Sequence, residues 1–213
     1  MPNNAITTVT VSSPDPAALA AVRQCAAAPS TTHRVPPAAT DPAVPGIRSR
    51  LAALVGRGRS VESTSGPRLT AVAGHPFSLE AVAPTGMDPD AWDHERATAL
   101  WGCSRPETDS TVESEGVDRV VYEVVTPYAP PGVALRTLSG AHPGVVVHAV
   151  STCESEYAWT AWFVRGRAVG ERETELDLTD EQWEDWDGEW VLPADWAFSA
   201  ERAAQLAGGT EQP

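Results

Sequence analysis

RVVYEVVT at 119–126, the turn PYAPP at 127–131 and VVVHAV at 145–150 decide how this chain folds. The outer two are β-branched runs of strand length, and YAWTAWFV at 157–164 adds an aromatic run bounded by turn residues. Between the first two, Pro130 and Pro131 open a short helix over 131–140, which Gly140 and Pro143 close. Residues 117–167 therefore read as strand, turn, helix, strand, strand.

The chain on either side of this block supplies the other half of a fold. AITTVTV at 5–11 is a short strand, and Ser13-Pro14-Asp15-Pro16 turns it into an alanine-rich helix over 17–28. Leu19, Val22 and Ala26 share one side of that helix, which ends before Pro29. RLTAVAGHPFSLEAVA at 68–83 reads as a second strand, bent or split at Gly74-His75-Pro76. Residues 88–100 form a loop or short helix carrying Trp92 and reaching Trp101, and the acidic stretch 112–116 reads as loop at the end of a hairpin arm. The order is β-α-β-β-α-β plus one: an α+β, ferredoxin-like split sheet with one extra strand and a helical acidic C-terminal appendage. Right-handed crossovers put both helices on one face and leave the other open or covered by additions, for which the tryptophan-rich C-terminus is a natural source.

Four segments follow. Residues 1–28 hold the first strand and helix, 29–67 a connection rich in proline and arginine, 68–170 the rest of the ferredoxin-like domain, and 171–213 the acidic appendage. In the connection, Pro29, Pro36, Pro37, Pro42 and Pro45 forbid regular structure over the first half. IRSRLAALV at 47–55 interrupts it as a short helix in a basic neighbourhood, made so by Arg48, Arg50, Arg57 and Arg59. It is either packed on the core with solvated arginines or docked on an acidic surface.

Bulk properties narrow the function classes. The chain has 213 residues, 42% hydrophobic, which suits one buried core with appendages. No apolar run approaches the ~20 residues of a membrane-spanning helix, and the N-terminus lacks the pattern of a signal peptide, so cytoplasmic residence is expected. The formal net charge of −14 argues against nucleic acid and anionic membrane as partners and favours a basic protein. All fifteen cationic side chains are arginine, a mark of GC-rich codons more than of function. Cys25, Cys103 and Cys153 are widely spaced, with no CxxC pair and no metal-ligand spacing to histidine, so no cofactor or metal is expected.

The chain contains no phosphate loop, nucleophile elbow or zinc-protease motif, and no catalytic residue is assigned. Asp90, Asp93, His94 and Glu95 are the densest polar cluster and read as solvated surface. Glu123 and His148 interrupt apolar strands and would share a sheet face if those strands are neighbours. Tyr122, Trp159 and Trp162 would stack bases if they lay together on an open sheet, which makes an RNA- or nucleotide-binding module the alternative function; an unrecognised enzyme is a third.

The best functional lead is the segment 171–190, with ten acidic residues against one arginine. Thr179 and Gln182 have capping-box spacing, and Trp183, Trp186 and Trp190 recur at i, i+3, i+7. An amphipathic helix is expected, with Glu181, Glu184 and Asp185 presented to a basic partner and the tryptophans as anchors or as packing against the domain.

Trp101-Gly102, the sequence Thr126-Pro127-Tyr128-Ala129-Pro130-Pro131 before a short helix, His142-Pro143 before the 145–150 strand, and Glu154 or Glu156 before an aromatic strand carry a resemblance. In order and spacing they resemble the YubB-type ferredoxin-like domain, related to Api-phage-like hypothetical proteins of phages and plasmids. The resemblance covers roughly residues 69–170. It implies the fold and a mobile-element setting, hence a non-enzymatic accessory protein that binds a host protein in host takeover or anti-defence. Cys103, Ser104 and Arg105 stand where the family continues Thr-Lys-Trp after Trp-Gly, and Tyr128 stands where it often has tryptophan.

Overall fold

The computed structural model describes residues 4–27, 32–34, 69–71, 74–153, 157–176 and 192–209. The chain divides into two compact units, one formed by Met1–Pro29 with His75–Pro213 and the other by Ser30–Gly74. In the smaller unit the described residues are two short strands, β2 (Thr32–Arg34) and β3 (Leu69–Ala71), paired antiparallel. The basic island at 47–55 lies outside the described residues.

The larger unit starts with β1 (Asn4–Ser12) and α1 (Pro16–Ala26). Asp15 caps α1, accepting from the Ala17 N–H at 2.9 Å, and Pro16 occupies its first turn, where a missing N–H costs nothing. Next come α2 (Leu79–Val82), a 3₁₀ turn at Pro89–Ala91 and α3 (His94–Trp101). The hairpin β4 (Asp109–Glu115) and β5 (Arg119–Pro127) leads into α4 (Gly132–Ala141). The chain then makes β6 (Val146–Cys153), β7 (Tyr157–Val164) and β8 (Arg167–Glu175), a 3₁₀ turn at Ala194–Trp196 and α5 (Ala200–Gly208).

The strands form one antiparallel sheet in the order β4-β5-β1-β6-β7-β8. β1 lies between β5 and β6, so β1-α1-β4 and β5-α4-β6 are the two interleaved split units of a ferredoxin-like fold, extended past β6 by a hairpin. The extension is two strands, β7 and β8, where the sequence suggests one.

The second strand of the split pair is β4, not the stretch at 68–83. That stretch gives β3 in the smaller unit, then α2, whose Leu79 N–H is held by the Glu107 carboxylate at 3.0 Å. β4 (DSTVESE) escapes recognition because Ser110 is its only buried residue. Ser110 earns its burial by bridging to Phe77, accepting from the N–H at 3.1 Å and donating to the carbonyl at 2.9 Å. An edge strand with one buried hydroxyl shows no apolar alternation.

Alternation sorts the other strands cleanly. Val9 and Val11 of β1, Val120, Tyr122 and Val124 of β5, Val147 and Ala149 of β6, and Trp159, Ala161 and Phe163 of β7 share a core with the helices. α1 contributes Leu19, Val22 and Ala26, α4 contributes Ala134, Leu135 and Leu138, and α3 contributes Ala97 and Trp101. Trp101 is fully buried, its indole N–H donating to Ala83 O at 2.8 Å. On the opposite face α5 and Phe198 cover Val146 and Trp162, while Ile6 of β1 stays 44% exposed.

Gly102 ends α3 in the left-handed region, with φ of 91°. A Cβ there would lie 3.1 Å from Gly132 N and Pro130 O and 3.2 Å from Val133 N, all backbone atoms that cannot swing away. Gly102→Ala is expected to cost about 2–4 kcal/mol, from the left-handed conformation plus the clash. Urea denaturation checks this, and a loss below about 1 kcal/mol would mean that the α4 turn yields.

Candidate functional site

The most specific local geometry surrounds the turn before α4. Tyr128 has a positive φ of 70°, and the turn is tied by Thr126 Oγ1 donating to Ala129 O at 2.7 Å and Gly132 N–H donating to Pro130 O at 2.9 Å. The Tyr157 hydroxyl reaches the Tyr128 carbonyl at 3.4 Å. Pro131 sits at the helix N-cap, consistent with the opening role expected of the proline pair.

This turn closes one end of a groove of about 260 Å³. Val133 and Arg136 of α4 form one wall; Ala168, Glu171 and Glu173 of β8 form the other. The floor is aromatic: Tyr157, Trp159 and Phe163 of β7, with the last two rings 6.1 Å apart. The Trp159 indole N–H donates to Glu171 Oε1 at 2.9 Å, which fixes both ring and carboxylate. Arg136 makes no ion pair with either glutamate, so among its described lining residues the groove carries two carboxylates against one guanidinium.

A β-bulge determines that charge. Phe163 pairs with Ala168 and Trp162 with Val169, but Thr160 pairs with Arg172, so Gly170 and Glu171 together oppose Ala161. Gly170 supplies the turn of backbone, with φ of 70°. Regular pairing would place Gly170 and Arg172 beside the groove; the extra residue moves Glu171 and Glu173 there instead. Arg172 is sent to the opposite face, where it pairs with Asp195 at 2.6 Å and holds that carboxyl below its ordinary pKa.

On that opposite face His148 is buried beneath the C-terminal segment. Its ring lies 4.2 Å from Trp162 and 6.1 Å from Phe198, and Nε2 is 3.3 Å from Thr160 Oγ1. Phe198 stacks on Trp162 at 5.7 Å, with the Arg202 guanidinium 5.3 Å above the Trp162 ring and Arg119 5.7 Å from Phe198. Burial lowers the His148 pKa to about 4, with a backbone hydrogen bond at Trp196 opposing the shift and Arg202 adding to it.

The residues singled out in the sequence are distributed as follows. Trp183, Trp186, Trp190, Glu181, Glu184 and Asp185 lie outside the described residues. Asp93 caps α3 by accepting from the N–H groups of Glu95 and Arg96, and His94 Nδ1 lies 3.1 Å from Ser104 O, so half of the acidic cluster serves local structure. Glu123 and His148 do share a sheet face, but β1 lies between their strands. Tyr122 and Trp159 face the helices while Trp162 lies under Phe198, so the three form no common platform. Of the three cysteines, Cys153 lies with its Sγ 3.5 Å from Tyr128 O, and burial pushes the Cys103 thiol up to about 12, leaving it protonated at neutral pH. Arg136, Glu171, Glu173 and Tyr157 were not singled out, and the one available signal was Gly170 inside a strand-length segment.

No protein-family model matches this sequence, and no curated protein matches it closely enough to count as a relative. Among solved structures, the fold is similar to the crystal structure of api92 from Yersinia pseudotuberculosis, described as a member of the DUF1281 family. The match has a TM-score of 0.50 at 8% identity and covers 84% of this chain and 100% of that one. The likeness is one of fold. It supports the ferredoxin-like assignment reached from topology, and it carries no activity with it.

The buried His148 gives a pH signature. Between its ordinary pKa of 6.5 and about 4 the unfolded chain binds a proton that the folded chain refuses, so this contribution is complete above pH 6.5 and declines as pH falls towards 4. A shift of this size corresponds to about 3 kcal/mol. Between pH 7 and pH 4 the wild type should lose about that much more stability than His148→Gln. Parallel stability curves for the two proteins would contradict it.

Proposed function

We propose that this chain is a non-enzymatic interaction protein that binds a basic protein through an acidic surface. The observation that carries the reading is the groove between α4 and β8, where Glu171 and Glu173 flank an aromatic floor in a chain of net charge −14. Opposed charge steers association and selects against acidic partners, and buried aromatics supply most of the affinity once docked. The expected Glu181, Glu184 and Asp185, with Trp183, Trp186 and Trp190, lie a few residues beyond β8 in sequence and add to the acidic character of this part of the chain. The finer setting is part of the proposal: a YubB-type protein of a phage or plasmid, acting in the host cytoplasm on a host protein.

The test is affinity capture from host-cell lysate at about 0.05 M and about 0.5 M salt, with retained proteins identified by mass spectrometry. Three baits are compared: wild type, Glu171→Gln with Glu173→Gln, and Glu181→Gln, Glu184→Gln with Asp185→Asn. The reading predicts one basic protein, retained at low salt and reduced roughly tenfold at high salt and by at least one of the charge-neutralised baits. Retention of no basic protein, or equal retention by all three baits, would count against it.

A further inference from the structure

The groove beside the α4 turn has a chemistry specific enough to name its ligand, an inference that rests on the interaction reading above. We propose that it receives an arginine side chain of the partner protein.

Two features of the sheet favour side-chain capture over addition of a partner strand. β4 and β8 are the outer strands of the six-stranded sheet, and each carries a bulge, between Val112 and Ser114 in one and at Gly170 in the other. Both are rich in charged residues, with Asp109, Glu113 and Glu115 in β4 and Arg167, Glu171, Arg172, Glu173 and Glu175 in β8. Bulges and charges are how sheet edges resist pairing with another chain. A partner docking here therefore uses side chains.

Charge selects a cation. Glu171 uses Oε1 for the Trp159 indole, Oε2 has no partner among the described residues, and Glu173 brings a second carboxylate on the same side of β8. Among the described residues that line the groove, Arg136 is the one like charge an incoming cation would meet, and two carboxylates outweigh it. Shape then selects arginine over lysine, with the half-buried Tyr157 ring as the accessible part of the floor and Trp159 and Phe163, 5% and 2% exposed, beneath it. A planar guanidinium lies flat on aromatic rings and donates in-plane to two carboxylate oxygens at once, whereas an ammonium is a compact, strongly hydrated point charge. The Trp159 ring is already fixed by its bond to Glu171 and by Gly132, whose added Cβ would lie 3.3 Å from the indole, so the floor needs no rearrangement.

The test uses the whole protein and a blocked pentapeptide Gly-Gly-Arg-Gly-Gly, with lysine and citrulline versions in parallel. Binding is followed by the indole N–H resonances in ¹⁵N NMR spectra, with Trp159 assigned as the resonance lost in Trp159→Phe. The arginine peptide should shift the Trp159 resonance saturably. The lysine peptide should bind more weakly, and citrulline, a neutral isostere, should not bind. Glu173→Gln should weaken arginine binding roughly tenfold, and Arg136→Gln should strengthen it. An unmoved Trp159 resonance, equal binding of citrulline, or unchanged affinity in Glu173→Gln would overturn the proposal. If the peptide fails while the lysate partner is retained and lost with the Glu181, Glu184 and Asp185 substitutions, the interaction reading stands and its seat is elsewhere. If capture fails as well, both fall.

Discussion

The pairing of β1 with two later strands is the constraint on which the rest of this structure depends. Its residues match β5 from Asn4↔Pro127 to Ser12↔Arg119 and β6 from Ala5↔Cys153 to Ser12↔Val146. Each pairing crosses more than a hundred residues, so the closure entropy is met before any sheet contact rewards it. Once the register is set, it decides every face. Val9 and Val11 go to the helices, and Tyr122 and Trp159 go with them. Thr10, paired with His148 and through it with Trp162, faces the opposite way, towards Phe198. A slip of one residue would exchange these sets and put the core in water.

Against that regular frame, the bulge at Gly170 is the local departure that makes a site. Edge strands tolerate bulges because only one neighbour has to follow them. Here the extra residue reverses which side chains of β8 face the helices, directing Glu171 and Glu173 to the aromatic floor and Arg172 to Asp195. On the other side of the groove, the close approach of Gly102 to the Pro130–Gly132 turn fixes where α4 begins and hence where Arg136 stands. Charge, floor and wall thus come from three different backbone decisions. None of them belongs to the regular part of the fold.

That division explains what the sequence disclosed. The runs 119–126, 145–150 and 157–164 announced β5, β6 and β7 to within a few residues, because central strands buried on one or both faces need β-branched or aromatic side chains. α5 starts at a serine cap, Ser199, whose hydroxyl accepts from Arg202 N–H at 3.2 Å. β4 was hidden because an edge strand with one buried serine has no pattern to show, and 77–83 misled because Phe77 and Leu79 alternate like a strand while Leu79 and Val82 pack as a helical turn. The groove was hidden for a further reason. Its acids reach the floor only through a bulge, and the alternation of 167–175 read without it points Arg172 there instead. The acidic run at 171–190 is denser in charge than the groove, and its first residues, up to Glu175, belong to β8.

The central claim is that α4 and β8 together form the surface that meets a basic partner. Hydrogen–deuterium exchange of the full chain, free and bound to the captured partner, tests it most directly. The account predicts added protection in residues 129–136 and 168–173, with little change in β1 at the sheet centre. Protection confined to the outer face around Ile6, with 129–136 and 168–173 unchanged, would contradict it.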